Sequence, residues 1–277
     1  MIARLTCRRG HFSFRLPGWS KGRDDSFLHI PQSKKSALRQ DHSQDLQPGG
    51  DETNGLHRFM GVELELAPDV LVPREETELL GARAVAVLRD IGADAVVVDM
   101  CCGSGNLALA IAAAVPAARV WGADLTDGTV ALARRNAERL GLGGRVSIRQ
   151  GDLFGALAGE GLEGRVDAVV CNPPYISTAR LEGESAHLLE NEPREAFDGG
   201  PYGISIHQRL VREAADFLKP GGWLMFEFGE GQHRQVAALV ARARAYEPVA
   251  FAEDAQGRPR VAVARKLAGQ PSGDGRR

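Results

Sequence analysis

An alternation of short apolar runs with helix-patterned stretches, sustained from about residue 64 to residue 265, constrains this chain more than any other feature. Residues 95–100 are Val-rich and almost wholly apolar, the pattern of a strand buried on both faces. A Gly-containing turn follows, and residues 106–115 read as a helix stopped by Pro116. Residues 119–124, 146–150 and 166–171 repeat the strand pattern, and residues 129–140 form an amphipathic helix ended by Gly141. A helix over 204–218 stops at Lys219-Pro220-Gly221-Gly222, before a fifth strand over 223–228. A helix over 232–245 and strands over 249–253 and 260–265 complete the pattern. Such alternation predicts an α/β fold, a seven-stranded and mostly parallel sheet with helices on both faces and right-handed crossovers. The loop Asp254-Ala255-Gln256-Gly257 is short enough for a hairpin, so the last strand is expected to run antiparallel.

Composition shifts near residue 57. Residues 1–57 carry little apolar periodicity and are expected to form an irregular or disordered basic segment, ahead of a catalytic domain over 58–266. The first 23 residues hold six Arg or Lys and no Asp or Glu, a bias shared by transit peptides and by arms that touch nucleic acid. A flexible leader or an early start codon is the alternative. The Gly-rich polar residues 267–277 are expected to be a disordered tail. No run approaches the roughly 18 apolar residues of a membrane span and no signal-peptide core is visible, so a cytoplasmic protein without membrane contact is expected. A net charge of -2 argues against a large nucleic-acid surface. The four cysteines, Cys7, Cys101, Cys102 and Cys171, form no C-x-x-C pair, so neither a disulfide framework nor a metal site is predicted. Cys101, Cys102 and Cys171 read as small packing residues, with a redox-sensitive or metal-binding cluster as the alternative.

In doubly wound sheets ligands bind beyond the carboxyl ends of the strands. Three segments fall there. Asp99-Met100-Cys101-Cys102-Gly103-Ser104-Gly105 leads a strand through a Gly turn into a helix N-terminus, where exposed N–H donors and a close backbone approach suit a nucleotide-bearing cofactor. Gly103 to Ala108 also satisfies the G-x-G-x-x-A dinucleotide fingerprint, which keeps a nucleotide-cofactor oxidoreductase open. Asp124, 19 residues after Gly105, is placed to accept ribose hydroxyls, or else to cap the next helix. Asp152, at the end of the third strand, is placed to accept from an adenine amino group, with Leu153 or Phe154 over the ring. After the fourth strand comes Cys171-Asn172-Pro173-Pro174-Tyr175. Two prolines fix two torsions and offer carbonyls without N–H groups. The Asn172 oxygen and the Pro173 carbonyl can accept both hydrogens of a planar –NH2 group, with Tyr175 as a stacking surface.

These motifs together resemble the peptide chain release factor glutamine methyltransferases, class I enzymes that use S-adenosylmethionine on the glutamine of a Gly-Gly-Gln loop. The resemblance covers about residues 58–266. It begins at Leu71-Val72-Pro73-Arg74-Glu75-Glu76-Thr77-Glu78, similar to the family's Pro-Arg-Pro-x-Thr-Glu signature, and runs through the segments above. It continues into Glu192-Pro193-Arg194-Glu195-Ala196-Phe197 with Gly199-Gly200, and Phe226-Glu227-Phe228-Gly229 with Gln232. It implies a Rossmann-like methyltransferase fold, a cofactor site at Asp99, residues 101–105, Asp124, Asp152, Leu153 and Asn172, and a glutamine amide held by Asn172, Pro173, Pro174 and Tyr175. The implied partner is a release factor or another glutamine-bearing protein, with nucleic acid met only through a ribosome-associated substrate. Two positions depart from the pattern: Cys101 replaces the first loop glycine and Glu75 the signature's second proline. Residues 1–57 lack the pattern of the family's helical N-terminal domain. Amino groups of nucleic-acid bases or small molecules remain alternative acceptors, and a non-enzymatic binding module predicts a degraded Asn-Pro-Pro-Tyr loop, which is intact here. No catalytic His, Lys or metal is nominated.

Overall fold

The computed structural model describes residues 6–8, 11–13 and 56–268, except residues 69, 93 and 191. Strands β1 (Thr6–Arg8) and β2 (His11–Ser13) pair antiparallel within the segment expected to be irregular. The remainder of that segment, and residues 269–277 of the expected tail, lie outside the described residues. A second hairpin, β3 (Leu56–Phe59) and β4 (Val62–Glu65), opens the larger unit, and β3 runs across the boundary drawn at residue 57. Its turn, Met60-Gly61, has φ of 46° and 86°, the positive pair that matches the twist of a two-residue hairpin.

The elements that follow are α1 (Glu75–Ile91), β5 (Val96–Met100), α2 (Asn106–Ala114), β6 (Arg119–Asp124), α3 (Asp127–Arg139), β7 (Val146–Gln150) and β8 (Val166–Cys171). After them come α4 (Thr178–Glu182), α5 (Ser205–Phe217), β9 (Leu218–Glu227), α6 (His233–Ala243), β10 (Ala250–Glu253) and β11 (Pro259–Arg265). The sheet order is β10-β11-β9-β8-β5-β6-β7. Strands β5 to β9 are mutually parallel, and β11 enters antiparallel between β9 and β10. This is the mixed seven-stranded sheet expected, with the last strand reversed. Two apolar cores flank it. One packs α1, α2, α3 and the β3–β4 hairpin; the other packs α5, α6 and the turn at Leu153–Leu157.

Three features differ from the sequence expectation. Helix α1 has no counterpart in the sequence pattern: its first turn is acidic, with Glu75, Glu76 and Glu78 favourably placed at the positive end of the helix dipole, and its buried stripe of Leu80, Gly81, Ala84, Val85 and Leu88 is narrow and partly small. The four-residue strands β3 and β4 are too short for periodicity to reveal. Strand β9 begins at Leu218 and takes in the Lys219-Pro220-Gly221-Gly222 stretch that reads as a stop, because the pairing with β8 shifts register between Val166 and Ala168 and absorbs the extra residues. Among the described residues, no helix is long and apolar enough to cross a membrane.

Candidate functional site

The strands β5, β6 and β7 end on one edge, and the turn after β5 lies across it. Gly105 caps α2 in the left-handed region at φ 83°, where a Cβ would sit 3.1 Å from Leu109 Cδ1 and 3.3 Å from Ala133 Cβ. Cys101 holds φ 56° at a position suited to glycine, a conformation that costs an L-residue roughly 1–2 kcal/mol. The loop is tied down nearby: Cys102 N–H donates to Ala123 O at 3.1 Å, and Gly103 N–H to Asp124 Oδ2 at 2.8 Å. Asp124 Oδ1 accepts from Leu125 N–H at 2.8 Å and from the Thr129 hydroxyl at 2.9 Å. A carboxylate has about four acceptor sites, so about one is left for a ribose hydroxyl unless a protein donor yields.

Asp99 is fully buried, with Oδ2 accepting from Ala108 N–H at 2.9 Å and Oδ1 without a partner among the described residues. Burial, opposed by that bond and reinforced by the Asp124 charge, pushes its carboxyl up to about 8. Ser104 is also buried, and its hydroxyl has no partner among the described residues. Gly103 faces open space where a Cβ would stand. Burial raises the Cys102 and Cys171 thiols well above their ordinary range, which keeps them protonated, and Cys101, Cys102 and Cys171 are all free thiols. Asp152 is exposed at the end of β7, and both its oxygens accept from Arg209 Nη1, at 2.9 and 3.0 Å. That pairing across 57 residues is not legible in the sequence, and an adenine amino group would have to share the carboxylate with it. Leu153 follows, buried, at φ 47°.

The loop after β8 forms one wall of a cavity of about 230 Å3. Asn172, Pro173 and Tyr175 line it with Ile176, Phe197 and Arg260; Pro174 is not among the lining residues. Asn172 Nδ2 donates to Thr77 Oγ1 at 3.0 Å, the Thr77 hydroxyl donates to Glu227 Oε2 at 2.8 Å, and the Tyr175 hydroxyl donates to Glu227 Oε1 at 3.0 Å. Arg260 Nη2 stands 3.5 Å from the Tyr175 oxygen and 3.8 Å from Glu227 Oε1. Burial, with the Glu227 charge beside it, raises the Tyr175 phenol well above its usual range, so it remains a donor. His207, buried and pushed down to about 4 by that burial, lies with Nε2 2.9 Å from Glu227 O, as a neutral support for the backbone. Gln232 holds the far end of the loop by donating to Tyr175 O at 3.0 Å. Gly203 packs so closely on Tyr175 O, at φ 68°, that no side chain fits there.

The glycine turn and the Asn172 loop therefore lie at the carboxyl ends of neighbouring strands β5 and β8, joined where Met100 pairs with Cys171. Thr77 and Glu227 fall inside longer sequence motifs that give them no role of their own, and Arg260 reads from sequence as strand only. The signal for Thr77 and Glu227 is a pair of polar residues at positions that the fold buries.

Comparison with known proteins agrees with this fold. A family model described as a methyltransferase domain matches residues 97–189, which include the glycine turn, Asp124, Asp152 and the Asn172 loop. A release factor glutamine methyltransferase of Geobacter sulfurreducens is 42% identical over 188 residues, covering 68% of this chain and 63% of that protein. One of Moorella thermoacetica is 38% identical over 210 residues, covering 76% of this chain and 72% of that protein. The chain thus spans somewhat under two thirds of the first relative's length and rather more of the second's. A 4-amino-L-phenylalanine/4-methylamino-L-phenylalanine methyltransferase of Streptomyces pristinaespiralis is 42% identical over 185 residues, covering 65% of this chain and 61% of that protein. On fold, site geometry and similarity together, the chain belongs to the release factor glutamine methyltransferase family.

Proposed function

We propose that this protein transfers a methyl group from S-adenosylmethionine to the side-chain amide nitrogen of a protein glutamine, that of the Gly-Gly-Gln loop of a peptide chain release factor, in the cytoplasm. The observation that carries the reading is the engaged Asn172 amide: with Nδ2 donating to Thr77, its Oδ1 is the atom left to accept from a substrate –NH2, beside the Pro173 carbonyl in the same cavity wall. The residues at the strand edge fit the cofactor. Asp124 retains acceptor capacity, and Gly103 leaves open space in the turn that leads into α2. Asp152 and Leu153 would hold the adenine, and residues 101–105 the amino-acid portion. Bound there, the cofactor supplies an electrophilic methyl on a sulfonium.

An amide nitrogen is a weak nucleophile because its lone pair is delocalised into the carbonyl. Asn172 Oδ1 and Pro173 O, accepting both hydrogens, raise electron density on that nitrogen and aim it. Orientation of this kind is worth up to ~7–11 kcal/mol, so no strong base has to act before transfer. The nitrogen's extra proton is lost to solvent after the methyl has moved. Tyr175 and Phe197 give the cavity an apolar face beside its charged residues.

The test follows methyl transfer from labelled cofactor to a release factor carrying Gly-Gly-Gln, with a Gln-to-Ala release factor as the control. Labelling of the first alone is expected; equal labelling of both would remove glutamine as the target. In Asn172→Ala, turnover is expected to fall ~10²-fold while cofactor affinity changes little. The Streptomyces pristinaespiralis relative favours a second reading, an aromatic amine in the same –NH2 clamp. Faster labelling of 4-amino-L-phenylalanine than of the release factor would select it.

A further inference from the structure

The polar chain behind Asn172 has a direction. The Glu227 carboxylate can only accept while ionised, and it takes the Thr77 hydroxyl hydrogen on one oxygen and the Tyr175 hydroxyl hydrogen on the other. With its hydrogen spent on Glu227, Thr77 Oγ1 offers only lone pairs to its remaining neighbour. It therefore accepts from Asn172, and an accepting neighbour must meet the Nδ2 end of the carboxamide, at 3.0 Å. The opposite flip would set Asn172 Oδ1 against a lone pair, with no hydrogen between them. Thr77 is 1% exposed and Glu227 1% exposed, so water does not compete for these bonds. Burial, helped by the Glu76 charge, raises the Glu227 carboxyl above its ordinary value, while the donated bonds from Thr77 and Tyr175 and the Arg260 guanidinium 3.8 Å away pull it back toward the carboxylate.

The three parts come from distant places in the chain. Thr77 sits in the first turn of α1, Asn172 follows β8, and Glu227 ends β9, so the bonds span 95 and 150 residues. Nothing in local chain geometry requires this arrangement, and a valine in place of Thr77 would fill the same space. We propose that Thr77 and Glu227 are positioning residues, a one-way hydrogen-bond relay that holds the Asn172 carboxamide with its oxygen toward the substrate –NH2. Thr77 lies behind the cavity wall, and Glu227 lines the cavity with both its oxygens engaged by Thr77 and Tyr175. Their work is to prevent the carboxamide from turning its own NH2 toward the nitrogen to be methylated, where donor would meet donor.

This rests on the proposed clamp of a substrate –NH2, and the test has one arm that needs no substrate. In isotope-labelled wild-type protein, the Asn172 side-chain NH2 protons, assigned by their loss in Asn172→Ala, should show through-space contacts to the Thr77 side chain. Absence of those contacts means the amide faces the other way, and the relay is wrong. In Thr77→Val, which keeps shape and removes the hydroxyl, kcat for release factor methylation should fall about 10- to 100-fold, with KM for S-adenosylmethionine changed little. Thr77→Ser, which restores the hydroxyl, should return turnover to within about threefold of wild type. A Thr77→Val enzyme with wild-type kcat overturns the proposal, and so does a Thr77→Ser enzyme as slow as the valine variant. Should the valine variant not fold, the wild-type contacts and the serine variant still decide. A wild-type protein that leaves the release factor unlabelled refutes the assigned reaction instead, and the through-space contacts then test the relay separately.

Discussion

Asn136 offers a stability test whose size follows from its bonds. It is wholly buried on α3 and makes three hydrogen bonds: Oδ1 accepts from Glu65 N–H at 2.8 Å, and Nδ2 donates to Glu65 O at 3.1 Å and to Ser104 O at 3.0 Å. One side chain thus mimics a strand partner for β4 and clamps the glycine loop from behind. Asn136→Ala orphans all three groups. Ser104 is buried, so its carbonyl keeps the full penalty of about 1–3 kcal/mol. Glu65 is only half-buried and can regain water, so each of its bonds is worth about 0.5–1.5 kcal/mol. Alanine returns roughly half a kcal/mol as the better helix former. The net loss expected is about 1.5–5.5 kcal/mol. With a urea m-value of about 2–3 kcal/mol/M, the unfolding midpoint should drop by about 0.5–3 M at unchanged slope. Asn136→Asp should cost more, because it sets a carboxylate oxygen against two carbonyls. Equilibrium urea unfolding followed by far-UV circular dichroism measures both. A midpoint within about 0.2 M of wild type for Asn136→Ala would show that the bonded geometry does not support the fold as argued.

Two further tests bear on the cofactor edge. Asp99 binds a proton more readily folded than unfolded, since burial lifts its carboxyl from 3.8 to about 8; stability is therefore present at low pH and lost as pH rises between those values. Thermal melts should show wild type losing more stability between about pH 5 and 8 than Asp99→Asn, which has no such proton to lose; parallel pH profiles would refute this. Asp124→Ala should weaken S-adenosylmethionine binding by about 1.5–3 kcal/mol for each lost charge-assisted bond, read by calorimetry, with further loss because Gly103 is released. Unchanged affinity would remove Asp124 from the cofactor site.

The sheet was legible because each parallel strand is buried on both faces and carries its own signal: β6, β7 and β8 begin and end where the residue pattern places them. The reversed β11 followed from loop length alone. Helix α1 escaped because a stripe built partly of Gly81 and Ala84 has little hydrophobic contrast, although it packs tightly: Gly81 lies under the Met60 thioether, where a Cβ would clash. Small residues here make room for the Met60 side chain, and a periodicity argument counts that smallness as weakness.

The candidate site divides along the same line. Asn172 to Tyr175 could be read because two prolines after an apolar strand are a local, rigid arrangement whose chemistry follows from the residues themselves. What orients Asn172 could not be read, since Thr77 and Glu227 gain meaning only when folding brings them to 2.8 Å across 150 residues. The Asp152–Arg209 pair is equally remote and changes how much of that carboxylate a ligand would find free. Cys101 lies between these cases. Its identity is visible in the sequence as a departure from a glycine loop, while its φ of 56° comes only from the fold. The loop accepts a strained non-glycine residue because neighbouring bonds, from Cys102 N–H to Ala123 and from Gly103 N–H to Asp124, hold the backbone that follows it. The shape of this glycine loop is therefore supported from outside as well as by its glycines, through Asp124 bonded to Gly103 N–H and Asn136 bonded to the Ser104 carbonyl.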